Sequence, residues 1–232
     1  MRIYRRRKAS FWERLGYLSW TTWIIIASVA MFLVEVVALA IDERSINYFA
    51  LNPSNIAHGK YLWTIVLHIF AHGNLAHLFI NMFVLFSLGS LIERIIGRKR
   101  YIWFYLISGI FAGALSVAFA LAFGNSPLGS RIFGSPDSFM VGASGAIFAI
   151  AGLYVVLLPN VRFMIIFLPF FSLPAYVMVP LALFGVWLAS AIGGWSIGNV
   201  AHFGGFLAGV VYGVYLRIKY RRKVERLQRL FR

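Results

Sequence analysis

The sequence contains no cysteine and only seven acidic residues in 232, against 22 lysines and arginines. Without cysteine there is neither a disulfide framework nor a thiolate zinc site, and nothing marks the redox compartment. Charge of either sign is scarce, at 12% of residues, where ordinary soluble domains carry roughly 25%. Apolar residues make up 61%, well above the roughly 45–50% of such domains. Several apolar runs approach the about 20 residues that cross a bilayer. The composition therefore excludes an ordinary soluble domain and predicts one polytopic, all-α membrane domain.

The net charge of +15 comes mainly from three clusters at the edges of apolar runs, Arg2 to Lys8, Arg94 to Arg100, and Arg217 to the C-terminus. No segment is long enough for a separate nucleic-acid-reading domain. Basic residues collect in short cytoplasmic loops and attract anionic headgroups, so the lipid bilayer is the expected partner of these clusters. The organisation that follows is a basic cytoplasmic segment over 1–18, a membrane domain over 19–216 and a basic cytoplasmic tail over 217–232.

Spans are expected at Trp20 to Ile41, Ala76 to Ile92, Tyr101 to Phe123, Ala143 to Leu158, Ala175 to Ile192 and Val200 to Leu216. Six crossings return the C-terminus to its starting side, in agreement with the basic clusters. Ala38-Leu39-Ala40 looks like a signal-peptidase site, but the run before it exceeds the about 7–15 residues of a signal h-region, so a retained first helix is expected. Glu35 is anomalous inside that helix, where an ionisable group is costly and faces protein or water. The uncharged stretch from Phe163 to Trp195 is too long for one untilted crossing, and Pro174 is a natural boundary between an interfacial piece and the fifth helix.

Polar side chains inside apolar helices need a reason, and three places stand out. Ser144 lies in Gly142-Ala143-Ser144-Gly145 at the external start of the fourth helix, where flanking glycines leave its hydroxyl open and unpaired amides can meet an oxyanion. The alternative is a small-residue packing surface. His202 begins the sixth helix, and Gly205, Gly209 and Gly213 repeat every fourth residue behind it. That stripe, facing Gly145, Ala149 and Gly152, brings a serine and a histidine within reach of each other. His77 and Asn81 share one helical face and both donate hydrogen bonds. They are either oxyanion donors or a capping and interhelical pair.

None of the acids Glu13, Glu35, Asp42, Glu43, Glu93, Asp137 and Glu225 has a placement that orients His202, so a Ser-His dyad is expected instead of a triad. His68, His72 and His77 invite a metal reading, but no His-Glu-x-x-His motif accompanies them, and Glu93 falls near the opposite end of its helix. Neither a metal nor another cofactor is expected.

In their order and spacing, His72, His77-x-x-x-Asn81, Gly89-x-x-x-Glu93-x-x-x-Gly97, Gly142-x-Ser144-Gly145 and Ala201-His202-x-x-Gly205-x-x-x-Gly209 resemble the rhomboid family of intramembrane serine proteases, over about Trp63 to Gly213. The resemblance implies a six-helix bundle with cytoplasmic termini and a water-filled cavity open to the outside. It implies a serine endopeptidase acting on transmembrane protein substrates, with Ser144 as nucleophile, His202 as base, and His77, Asn81 and the Ser144 amide as oxyanion donors. It makes His72 an organiser of the first external loop and Glu93 a tie for the cytoplasmic turn.

Three positions depart from the family pattern. Phe148 stands where Tyr is common and is expected to pack on His202. Ala149 replaces a frequent Gly, and Trp63-Thr64 aligns near a Trp-Arg pair. The rival functions are a helix-binding pseudoprotease and a transporter, the latter weakened by the lack of an internal repeat. With no organelle-targeting segment evident, a prokaryotic plasma membrane is expected.

Overall fold

The computed structural model describes residues 18–165, 168–193 and 198–231; the basic cluster Arg2 to Lys8 lies outside them. Its main helices are α1 (Trp20–Ile41), α2 (Leu75–Ile96), α3 (Arg98–Phe123), α4 (Ser144–Leu157), α5 (Ala175–Gly193), α6 (Asn199–Lys219) and α7 (Arg221–Leu230). Five of these, α1, α2, α3, α5 and α6, are long and apolar enough to cross a membrane. The expected boundaries hold to within a turn. The fourth span is the exception in length: α4 has 14 residues, about 21 Å at 1.5 Å per residue, short of the roughly 30 Å hydrocarbon.

Burial explains how α4 manages with that length. Eleven of its 14 residues are buried, whereas in α1 only Thr21, Ile24, Ser28 and Glu35 are. α4 is thus a central post surrounded by protein, and α1 is a peripheral helix whose Leu33, Val34 and Val37 are more than half exposed, as residues facing lipid are. α6 packs directly on α4. A Cβ on Gly205 would fall on the Gly145 carbonyl and one on Gly209 on the Ala149 carbonyl, while a Cβ on Gly213 would come within 2.9 Å of Val156. The two backbones touch along the predicted stripes because no side chain separates them.

The two ends of the bundle differ. At one end, Glu93 of α2 accepts hydrogen bonds from the Trp20 amide (2.8 Å), the Thr21 amide (2.9 Å) and the Thr21 hydroxyl (2.8 Å), while Ser19 accepts from the Thr22 amide at 3.0 Å. The first-turn donors of α1 are therefore satisfied by a neighbouring helix as well as by its own cap. Arg98 donates to the Leu18 carbonyl, and Arg100 donates to the Tyr220 hydroxyl at 2.9 Å and lies over its ring. The start of α1, the α2–α3 turn and the α6–α7 junction consequently share this end, which carries most of the basic residues.

α2 is interrupted by a π turn at Leu85–Gly89; inside it the Leu88 carbonyl accepts from the Tyr154 hydroxyl at 2.9 Å. The interfacial piece before α5 is a β-hairpin, β1 (Arg162–Ile165) antiparallel to β2 (Leu168–Pro174), and α5 starts at Ala175 directly after Pro174. Hydrophobicity alone did not reveal these strands.

The first loop, between α1 and α2, folds as short helices, among them Pro53–Ala57 and Thr64–Leu67. It braces the segment leading into Ser144. Leu51 and Met140 exchange backbone hydrogen bonds of 2.9 and 2.8 Å, and the Gly142 amide donates to the His68 carbonyl at 2.9 Å.

Candidate active site

Ser144 and His202 meet although 58 residues separate them: the serine Oγ lies 2.8 Å from the histidine Nε2. The contact follows from the glycine stripes, since Gly205, three residues beyond His202, lets α6 approach the first turn of α4. His202 is buried, and its other nitrogen, Nδ1, has no protein partner. Among the described residues no carboxylate bonds this ring. The Phe148 ring sits against it instead, 4.7 Å between centroids and tilted by 36°.

The hydrogen-bond donors around the serine are arranged by local backbone constraints. Gly142 has φ +127°, a conformation that side chains rarely adopt, and a Cβ there would come within 2.9 Å of the His77 ring. The glycine therefore brings the His77 imidazole close to the backbone preceding Ser144. Asn74 caps α2 by accepting from the His77 amide at 2.8 Å, which fixes the turn that carries this histidine. Asn81, one turn on, is buried and donates one amide hydrogen to the His77 carbonyl at 2.9 Å. Its second amide hydrogen is left for another acceptor. At the N-terminus of α4 the Ser144 amide has no intrahelical partner.

His72 is buried behind this group. Its Nδ1 lies 3.0 Å from the Phe70 carbonyl, its ring meets His77 edge to face at 5.2 Å, and its Nε2 has no protein partner. Its amide donates to the Glu35 carboxyl at 3.1 Å. Glu35 is therefore the anchor of the first loop on α1, a role the sequence did not disclose: its partner is a backbone N–H, which leaves no trace in residue identity. His68 is buried too, its Nδ1 2.9 Å from the Thr64 carbonyl. Among the described residues no group of three His, Asp or Glu side chains converges as a metal site would require.

His68 and His72 lie outside the spanning helices, and burial pushes both down from 6.5 to about 4, with the nearby His77 adding to the effect on His72. Both are neutral in the folded protein. A lowered folded value means that the unfolded chain takes up protons first, so stability is complete above 6.5 and declines as pH falls from there toward 4. Thermal melts in detergent across that window should show this decline, and His68→Gln should flatten it; an unchanged slope in the variant would refute the assignment.

A cavity of about 1650 Å³ contains the Ser144–His202 pair and is lined by His77, Asn81, Gly142 and Phe148. It extends between α2 and α5. Among the described residues no Cα of α2 comes within 8 Å of one in α5, so these two helices leave a cleft between them. The arrangement can activate a hydroxyl, present several N–H groups to a developing negative charge, and admit a substrate from the side.

Comparison with known proteins extends these observations. The family model described as the rhomboid domain matches residues 59–219. The chain is 31% identical over 215 residues to the human presenilin-associated rhomboid-like protein, mitochondrial, covering 91% of this chain and 52% of that protein. It is 30% identical over 155 residues to the mitochondrial rhomboid protein 1 of Saccharomyces cerevisiae, covering 66% and 41%. It is 35% identical over 117 residues to the rhomboid protease GluP of Bacillus subtilis, covering 50% and 20%. The chain thus spans about half the length, or less, of these relatives. The expectation of a prokaryotic plasma membrane is overturned by the mitochondrial relatives from animals and yeast. It had rested on the lack of a visible targeting segment, which says little about compartment. The matched segment holds both helices that meet at Ser144 and His202, and the chain belongs to the rhomboid family.

Proposed function

We propose that this protein hydrolyses peptide bonds in or beside the transmembrane helices of membrane proteins. The observation that supports this most is the 2.8 Å contact between Ser144 Oγ and His202 Nε2 inside a cavity that opens between two spanning helices. In the proposed reaction His202 Nε2 accepts the Ser144 proton as Oγ attacks the substrate carbonyl carbon. The oxyanion is met by the Ser144 amide, His77 and the free hydrogen of Asn81, and His202 then passes its proton to the leaving amine. Water drawn into the cavity opens the acyl-enzyme by the same steps in reverse.

With Nε2 as the acceptor, the proton of neutral His202 resides on Nδ1, where no protein group holds it. Phe148 supplies the orientation by contact. This is a weaker constraint than a carboxylate, and it makes no demand for a third charged group in the membrane, where one is costly. The basic residues gathered at one end of the bundle support a topology in which that end faces the side where lysine and arginine accumulate, with the dyad toward the opposite surface. The named relatives make a mitochondrial membrane the proposed location.

The test is reconstitution in liposomes with a single-helix substrate carrying small or helix-breaking residues near the dyad's depth. Cleavage by the wild type and none by Ser144→Ala supports the reading. Intact substrate that still binds both proteins would instead indicate a helix-binding pseudoprotease.

A further inference from the structure

The cleft between α2 and α5 has two distinct poles. One holds Ser144, His202, His77 and Asn81. The other lies toward β1, where Arg162 is the single permanently charged side chain among the described residues that line the cavity. Arg162 is exposed, so its guanidinium is open to an anion that enters the cleft.

Arg162 is also held in place. Its Nε donates to the Ser172 hydroxyl at 2.9 Å and its Nη2 to the Ser172 carbonyl across the hairpin. The hairpin itself is fixed to the bundle by Phe163, whose ring meets Tyr154 of α4 edge to face at 5.1 Å, and by the Ala175 amide, which donates to the Val161 carbonyl at 2.9 Å. A guanidinium has five N–H donors, so three remain for a ligand. Because α4 separates the two poles and has 14 residues, Arg162 lies roughly 20 Å from the dyad along the bundle axis.

We infer that Arg162 selects substrates by charge: it receives a carboxylate from Asp or Glu located roughly 12 to 16 residues from the scissile bond, on the side that stays in the membrane, and repels Lys or Arg there. The inference rests on the protease reading and adds a specificity determinant far from the chemistry. Ordinary spanning helices carry basic residues at the corresponding end, so Arg162 would exclude most of them.

The test uses three otherwise identical single-helix substrates with Glu, Leu or Lys at that position, in phosphatidylcholine vesicles, with wild type, Arg162→Gln and Arg162→Glu. For wild type the expected order of kcat/KM is Glu, Leu, Lys, with about three- to tenfold between the first and last. Arg162→Glu should reverse the order and Arg162→Gln should level it, while the Leu substrate is cut by all three proteins alike and so reports correct folding. The same order should appear in substrate affinity for Ser144→Ala, which needs no catalysis; binding without any cleavage would therefore sink the protease reading and still decide the role of Arg162. Equal treatment of the three substrates in both measurements overturns the inference. So does activity that depends instead on added phosphatidylglycerol and loses that dependence in Arg162→Glu, which would assign the cation to a lipid headgroup.

Discussion

Replacing His202 by Ala is expected to abolish fluorophosphonate labelling of Ser144 and to lower substrate cleavage by at least about a thousandfold. The magnitude follows from how the site is built. Ser144 has one neighbouring base, at 2.8 Å, and a serine hydroxyl without a base is a poor nucleophile. Loss of the imidazole should leave the fold standing, because the α4–α6 contact is made by glycine backbones and not by this ring. Thermal midpoints of wild type and variant should agree within a few degrees. Cleavage by the wild type should also fall in acid as the imidazole takes a proton, since a protonated ring cannot accept one from Ser144. Labelling that persists in His202→Ala would identify another base.

The second large effect concerns stability. Gly205→Val should destabilise the bundle by about 3 kcal/mol or more, because even the first carbon of the new side chain coincides with the Gly145 carbonyl. The helices can relieve the clash only by separating, which would also part Ser144 from His202. Activity and thermal midpoint should therefore fall together, unlike in His202→Ala, where only activity falls. Gly185→Ala in α5 is the control: nothing lies within 4 Å of a Cβ at that position, and it should be silent. A Gly205→Val protein that melts and cleaves normally would show that the observed close approach is not needed.

Much of this architecture was legible because the membrane makes polar residues conspicuous. In helices where nearly every side chain is apolar, His77, Asn81, Ser144 and His202 stand out, and the fourfold glycine period behind His202 names the surface that meets α4. For Glu93 the family resemblance implied only a tie for the cytoplasmic turn; its three hydrogen bonds go to the first turn of α1. What failed to show had a physical cause in each case. The β1–β2 hairpin is mostly apolar apart from Arg162 and Ser172, and a short apolar run does not distinguish strand from helix. The span of α4 was placed to within one residue at each end, but its enclosure by protein was not visible, because hydropathy measures dislike of water, which a helix enclosed by protein and one enclosed by lipid satisfy equally. Glu35 was visible as an oddity, but its bond to the His72 amide depends on a tertiary contact between α1 and the first loop.

The shortness of α4 has a consequence for what one cut would release. If α4, which starts at Ser144, reaches the edge of the hydrocarbon at the basic end after about 21 Å, the proposed nucleophile would lie roughly 9 Å below the opposite edge. A helix severed at that depth is divided unequally. The piece on the near side keeps only about six apolar residues, worth too little burial to hold it in a bilayer, while the remainder keeps about fourteen and stays embedded. Depth alone would thus decide which fragment departs into water, making the reaction a one-way release without any device for ejecting the product.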